Sequence, residues 1–419
     1  LSSSTNQKSH LSLPYFYAMS TNSDMTFTPR FYTEDKILFQ TEYRQVNKNS
    51  NHLSDFSFFK EKDENSKSHV FYRYDKKIDF NYFEDSSFKL NIEKTSNDTY
   101  LKTNKLKSPI IQDYDILENS IELSLNSEDT SINTNFVVYE DLNKDKKSDK
   151  YEYVLPKINL IKNIENKTSL NGDFIFKSNN TVRNYQTNIF EKTNINDLIF
   201  NAAPRISNYG FYNNYDIIIK NVNSDTQNSD NYKENENFYL SGLFQYNSSL
   251  PLIKENNNYQ NILKPKLTLK LSPNNTKNIS LEDNKLDITN IYNLERISRN
   301  DTLEGGVSLT YGNDFTIFDK INSRDFFSIK IANNLRFEEN HDLQKNNQLG
   351  QKTSNLFGEI TYKPNNFLSM KYNTATKNNF RETEYENLIT ELSLNNFVTT
   401  FDYLNENNTK KKVSYLLNT

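Results

Sequence analysis

Apolar and polar residues alternate along most of this chain. In Lys266-Leu267-Thr268-Leu269-Lys270-Leu271 a period of two places Leu267, Leu269 and Leu271 on one side and Lys266, Thr268 and Lys270 on the other. The same reading sets Met25, Phe27 and Phe31 against Thr26, Thr28 and Arg30, and Ile37, Phe39 and Tyr43 against Gln40, Glu42 and Arg44. It recurs at Ile121, Leu123 and Leu125, at Leu170, Phe174 and Phe176, at Ile329 and Ile331, and at Leu356, Ile360 and Tyr362. Segments of about 8–14 residues, the length of a tilted membrane strand, lie between polar turns. Examples of such turns are Thr21-Asn22-Ser23-Asp24, Tyr32-Thr33-Glu34-Asp35 and Pro364-Asn365-Asn366. The template fits about 21 strands, with no helix signal between them. That pattern predicts an all-β protein, a large antiparallel transmembrane β-barrel. Leu267, Leu269, Leu271, Ile329, Ile331, Leu356 and Ile360 should face outward, and Lys266, Lys270, Lys330 and Glu359 inward.

Two stretches break the alternation. Residues 221–237 are mostly Asn, Asp, Ser and Lys and read as a long exposed loop. Residues 272–303 form a second insertion. It carries Leu281, Leu286, Ile288, Ile291, Tyr292 and Leu294, too many apolar side chains for a free loop, so it should fold into or over the interior. On this reading residues 1–13 are a lead-in segment and 14–419 the barrel.

Composition sharpens the class. Only 35% of the 419 residues are hydrophobic, yet there are 27 Tyr and 29 Phe. Mean hydropathy is -0.84. A dry core of this size needs more apolar residues, and a disordered chain has fewer aromatics. A barrel with a wet interior and aromatic girdles satisfies both constraints. The net charge of -4 gives no electrostatic case for nucleic acid. Without Cys there are no disulfides or thiolate metal sites in this sequence.

Candidate chemistry is sparse. His10, His52, His69 and His341 are scattered without ligand spacing and read as surface or interfacial residues. Asp141, Asn143, Asp145, Asp149 and Glu152 hold the oxygen positions of a calcium loop, but Lys146 stands where the turn needs Gly, so a solvated hairpin is the better reading. The acidic pairs Glu34-Asp35 and Glu84-Asp85 belong to turns or strand ends. No nucleophile–base motif occurs, so no enzyme, metal or cofactor is expected.

Ordered short segments carry a resemblance. They begin with Leu13-Pro14-Tyr15-Phe16-Tyr17-Ala18-Met19-Ser20, Asn22-Ser23-Asp24-Met25-Thr26-Phe27-Thr28-Pro29-Arg30-Phe31-Tyr32 and Phe39-Gln40-Thr41-Glu42-Tyr43-Arg44. Asn97-Asp98-Thr99-Tyr100-Leu101, Val154-Leu155-Pro156, Leu250-Pro251-Leu252-Ile253 and Leu263-Lys264-Pro265 follow. Leu281-Glu282-Asp283, Asp287-Ile288-Thr289-Asn290-Ile291-Tyr292, Leu303-Glu304-Gly305-Gly306 and Tyr311-Gly312 complete the set. In order and spacing this resembles the barrel of the LptD family (also OstA or Imp), the lipopolysaccharide-assembly proteins of the outer membrane. The likeness is firm over residues 10–312 and compatible beyond. Thr302 stands where Arg is common, and Lys264 replaces Glu.

The resemblance implies lipopolysaccharide transport into the outer leaflet of the outer membrane of a Gram-negative bacterium, with no bond made or broken. It implies an LptE-like plug lipoprotein in the lumen. It also implies an LptA-like periplasmic bridge, met through a β-jellyroll. That jellyroll is not found in these residues. Leu416-Leu417-Asn418-Thr419 is not an aromatic-ended closing strand, so a barrel fragment is expected. In the family, the first and last strands part sideways to release lipid, which implies a lateral-gate role for Pro14 and Pro29. A proline lacks the N–H that a ladder needs; ordinary strand punctuation is the competing reading. A general diffusion porin and a surface adhesin are the alternative functions.

Overall fold

The computed structural model describes all residues except 1, 5–6, 33–35, 62–64, 187, 395–396, 407–409 and 419. The Glu34-Asp35 pair lies outside the described residues. Strand makes up 64% of the chain and helix 2%. Among the described residues the helix is confined to two four-residue turns, Tyr100–Thr103 and Lys147–Lys150, and the rest is turn and irregular chain. Within each of two compact units, successive long strands pair antiparallel. The alternation therefore reports a meander, in which hairpin turns of Asn, Asp and Ser set the register.

The chain divides into two compact units: residues 1–163, 176–196 and 223–238, and residues 164–175, 197–222 and 239–419. In the first, Ser23–Tyr32, Ile37–Val46, Ser50–Lys60, Lys67–Phe80, Phe83–Thr95, Ile116–Asn126 and Thr130–Asp141 pair in succession. In the second, the run is Tyr259–Ser272, Gly306–Asp319, Arg324–Arg336, Leu356–Tyr362, Leu368–Thr376, Thr383–Leu394, Phe397–Glu406 and Lys410–Asn418.

Burial in each unit is inverted relative to a water-soluble sheet. Phe56, Phe58 and Val70 are exposed, while Asp55, Ser57 and His69 beside them in sequence are buried. In the second unit Leu267, Leu271, Ile331 and Ile360 are exposed, whereas Thr268, Lys270, Asn334 and Glu359 are buried. The apolar face is left bare and the polar face is covered. Large contiguous apolar exposure of this kind marks a surface that meets lipid or protein rather than water.

Four sequence expectations need correction. Residues 1–13 are not merely a lead-in, since Gln7–Ser12 is a strand pairing with Ser23–Tyr32. Residues 221–237 are not one long loop: the strand Tyr212–Gln227 runs into them and Asn235–Ser249 begins before they end. A ladder needs only backbone groups, so a strand keeps its pairing after its side chains lose alternation. There Ser224 and Thr226 are buried, and the Thr226 hydroxyl donates to the Lys233 carbonyl at 2.8 Å. Counting by alternation therefore finds fewer strands than the 25 among the described residues, several of which are very short. Leu281, expected to be covered, is 89% exposed at the tip of its segment.

Candidate functional site

The polar face of each unit is covered by chain that is not strand. In the second unit, residues 273–305 leave Tyr259–Ser272 and return to Gly306–Asp319. Residues 337–355 leave Arg324–Arg336 and return to Leu356–Tyr362. The two segments bind each other: the Ile279 N–H donates to the Asp342 carbonyl at 2.7 Å, and Asn346 and Asn347 donate to the Asn284 carbonyl. Between them and the strands lie Ile279, Leu286, Ile288, Ile291, Leu343 and Leu349, packed with Ala332, Phe357, Ala375 and Tyr385. Leu286, Ile288, Ile291 and Tyr292 thus join a local core. Leu294 instead packs half-buried against a second cluster with Ile199, Ile218, Leu243 and Leu303, and Leu281 is exposed. The second covering segment was invisible to periodicity because Leu343 and Leu349 are its only aliphatic side chains.

A charged cluster fastens this cover. Glu304 sits at its exit and is fully enclosed. Arg296 binds it through two parallel bonds of 2.7 Å, Arg336 donates to it at 2.7 Å, and the Lys270 ammonium lies 3.7 Å away. The other donors of Arg296 reach the Ile291 carbonyl at 2.8 Å, the Thr310 hydroxyl at 2.7 Å and the Asn334 amide oxygen at 2.9 Å. Lys270 donates to the carbonyls of Asn293 at 2.5 Å and Leu294 at 3.0 Å. Burial pushes the Glu304 carboxyl up, but Arg296, Lys270 and Arg336 hold it well below the usual carboxylate range. Asp301 behaves alike. Burial raises it, and bonds from Arg299 and Lys277 bring it down to about 2.

The Leu303-Glu304-Gly305-Gly306 pattern has a physical cause here. Gly306 has φ +88, a left-handed turn, and the Arg336 guanidinium lies where a side chain would project. Gly312 meets a different need, because a Cβ there would collide with the Ile331 carbonyl and the Tyr292 hydroxyl. Gly312→Val should lower stability by about 1–3 kcal/mol, the usual cost of overpacking. Its urea unfolding midpoint in detergent is the check. An unchanged midpoint would mean that Tyr292 does not seat against the wall.

The polar face beyond the cluster carries a row of alternating charge. Lys264 is paired in register with Asp314, Asp314 with Lys330, and Lys330 with Glu359, across four strands. Lys330 and Lys371 bind the two oxygens of Glu359 at 2.7 and 2.8 Å, and Lys266 pairs with Asp314. Cross-strand pairs of opposite sign contribute roughly 0.2–1 kcal/mol each. The inward placement expected of Lys266, Lys270, Lys330 and Glu359 is what the ion pairs and burial display.

In the first unit the covering segment is 96–115, which the alternation did not single out. Tyr100, Leu101, Leu106 and Ile110 are buried against Leu38, Phe59 and Phe71. The Tyr100 hydroxyl lies 2.6 Å from Ser57, which lies 2.7 Å from the His69 ring nitrogen. Gln40 and Arg73 donate to the carbonyls of Lys107 and Ile110, each at 2.8 Å. His69 is therefore a buried anchor residue rather than a surface one. His341 is exposed, and Asp141 to Glu152 forms a connection in which Lys150 binds Asp98 and Glu140.

Pro14 and Pro29 come together. Ser12 is paired with Arg30 and Tyr15 with Phe27, one register either side of the prolines, so Leu13 faces Pro29 and Pro14 faces Thr28. The Leu13 N–H donates to the Pro29 carbonyl at 3.2 Å. A strand residue directs its N and its C=O to the same side. Pro29 therefore lacks the donor that would complete its exchange with Leu13. By alternation Pro14 lacks a donor on the opposite edge. The strand beyond it, Tyr15–Ser20, is exposed along its whole length.

A protein-family model described as LptD, LPS transport system D, matches residues 65–416, most of the chain. The match begins after Pro14 and Pro29 and extends well past residue 312. No curated protein matches. The inverted burial and the strand meander agree with the β-barrel of that family.

Proposed function

The chain belongs to the LptD family of lipopolysaccharide transport proteins of the outer membrane, and on that premise we propose that it delivers lipopolysaccharide to the outer leaflet. The observation that carries the reading is the inverted sheet: a bare apolar face for lipid and a polar face furnished with paired charges, amides and hydroxyls. The saccharide travels along the polar face while the acyl chains leave through a lateral opening beside Tyr15–Ser20. Pro14 and Pro29 weaken the ladder there, by on the order of 1 kcal/mol for each absent bond. An LptE-like lipoprotein is the proposed lumen partner and an LptA-like bridge the proposed donor of substrate. The protein acts by passage and release and catalyses no covalent step.

The test is reconstitution of the full-length protein with its lipoprotein partner in vesicles, followed by arrival of labelled lipopolysaccharide at the outer face. Delivery without large ion conductance is the expected result. Steady conductance with no delivery would replace this reading with a diffusion porin.

A further inference from the structure

A cavity of about 400 Å³ lies in the second unit where Ile288, Thr289 and Tyr292 of the covering segment overhang the polar face. That volume is within the range of small-ligand sites, roughly 300–1,000 Å³. Lys264, Lys266 and Lys330 line it with Asp314 as the sole carboxylate lining residue. The three cations differ in what they already hold. Lys330 is taken up by Glu359, and Lys266 by Asp314, with its ammonium 5.4 Å from the Tyr292 ring centre. Lys264 has no ion pair or hydrogen-bond partner among the described residues, although it lies opposite Asp314 in register. One oxygen of Asp314 is buried without a partner.

We infer that this cavity is a binding site for an anionic sugar, with the phosphate or acid group on Lys264 and Lys266 and a hydroxyl on the free Asp314 oxygen. The charge count favours an anion, since the lining has three cations and one carboxylate. An ammonium is a point-charge partner for phosphate. The carboxylate selects for a ligand that also carries hydroxyl donors, because a bare anion placed beside it is repelled. The inference rests on the transport reading only in supplying a natural source of such a sugar. The chemistry of the cavity stands without it.

The experiment titrates glucose 6-phosphate, glucose and inorganic phosphate separately into the full-length protein in a zwitterionic detergent, following heat or ligand-observed NMR. Glucose 6-phosphate should bind most tightly, and added salt should weaken it. Lys264→Gln should weaken glucose 6-phosphate at least ten-fold, while Lys254→Gln, on an exposed strand away from the cavity, changes nothing. The Lys264 side chain holds no ion pair or hydrogen bond among the described residues, so its variant should keep the unfolding midpoint of the parent. Asp314→Asn should erase the preference for the sugar phosphate over inorganic phosphate. No binding of glucose 6-phosphate, or equal binding by the Lys264→Gln protein, overturns the site. Inorganic phosphate binding as tightly as the sugar phosphate overturns the saccharide assignment. Transport without binding removes this site alone. Binding without transport removes the transport reading and leaves the site.

Discussion

Glu304→Ala is expected to release the cover from the polar face of the second unit. The substitution leaves Arg296, Arg336 and Lys270 enclosed without their shared carboxylate. Removing one partner of a buried ion pair costs about 3–5 kcal/mol, and here three cations lose the same partner. The carbonyls of Ile291, Asn293 and Leu294 still accept from two of them, so the strands should persist while the segments 273–305 and 337–355 loosen. Limited proteolysis in detergent micelles gives the readout. Cleavage should appear within those two segments at protease levels that leave the parent intact. Ion conductance of the reconstituted variant should rise. Glu304→Gln keeps the shape and some hydrogen bonds and should lie between parent and Ala. If the Ala variant is cut no faster than the parent, the cluster does not fasten the cover.

The second large effect concerns Pro14 and Pro29. Replacing both with Ala supplies two backbone donors, one facing Leu13 and one facing the outer edge. At roughly 1 kcal/mol each, two restored bonds reduce an open population ten-fold or more. Delivery of labelled lipopolysaccharide should slow by a similar factor, with assembly and lipoprotein binding retained. The geometry separates the two residues. Pro29→Ala strengthens pairing between neighbouring strands, whereas Pro14→Ala acts on the edge that a lateral opening would use. The single Pro14 variant should therefore slow delivery more than the single Pro29 variant. Full-rate delivery by a correctly assembled double variant would make both prolines strand punctuation.

The strands were legible because lipid and water each demand one kind of side chain, and a period of two writes that demand directly. Leu267, Leu271, Ile331 and Ile360 face one way and Lys270 and Glu359 the other, as the pattern requires. Insertion 272–303 was legible through its excess of apolar residues. Segment 96–115 was not, although Tyr100 and Leu101 belong to a recognisable motif, because six apolar residues in twenty do not distinguish a docked segment from a turn. Segment 337–355 depends on two leucines whose core is contributed by the other segment. His69 shows the same limit. Its burial follows from Tyr100 arriving through a distant connection, and local sequence carries no trace of that. The charged cluster joins residues 270, 296, 304 and 336, which share a neighbourhood only once three strands are in register. The sequence pattern marked Glu304 as part of a motif and left its role open.

The cluster also fixes how the cover responds to added length. Lys270 and Glu304 stand at the two ends of the 273–305 segment, and the contacts that bind it tightest, from Asn293 to Arg296, lie close to its exit. Its exit is closed by charge, while the Leu281 side chain stands in the open between Ser280 and Glu282, which accept bonds from Lys345 and Arg299. Closing a loop costs entropy that grows only with the logarithm of its length. Extra residues looped out beside Leu281 therefore add a few tenths of a kcal/mol, whereas one residue inserted between Asn293 and Glu304 moves a guanidinium off its carboxylate. Variation in size is confined to the immediate neighbourhood of Leu281, because Asn284 is tied to Asn346, Asn347 and the Arg296 carbonyl, and an insertion that displaced it would reach the anchored exit.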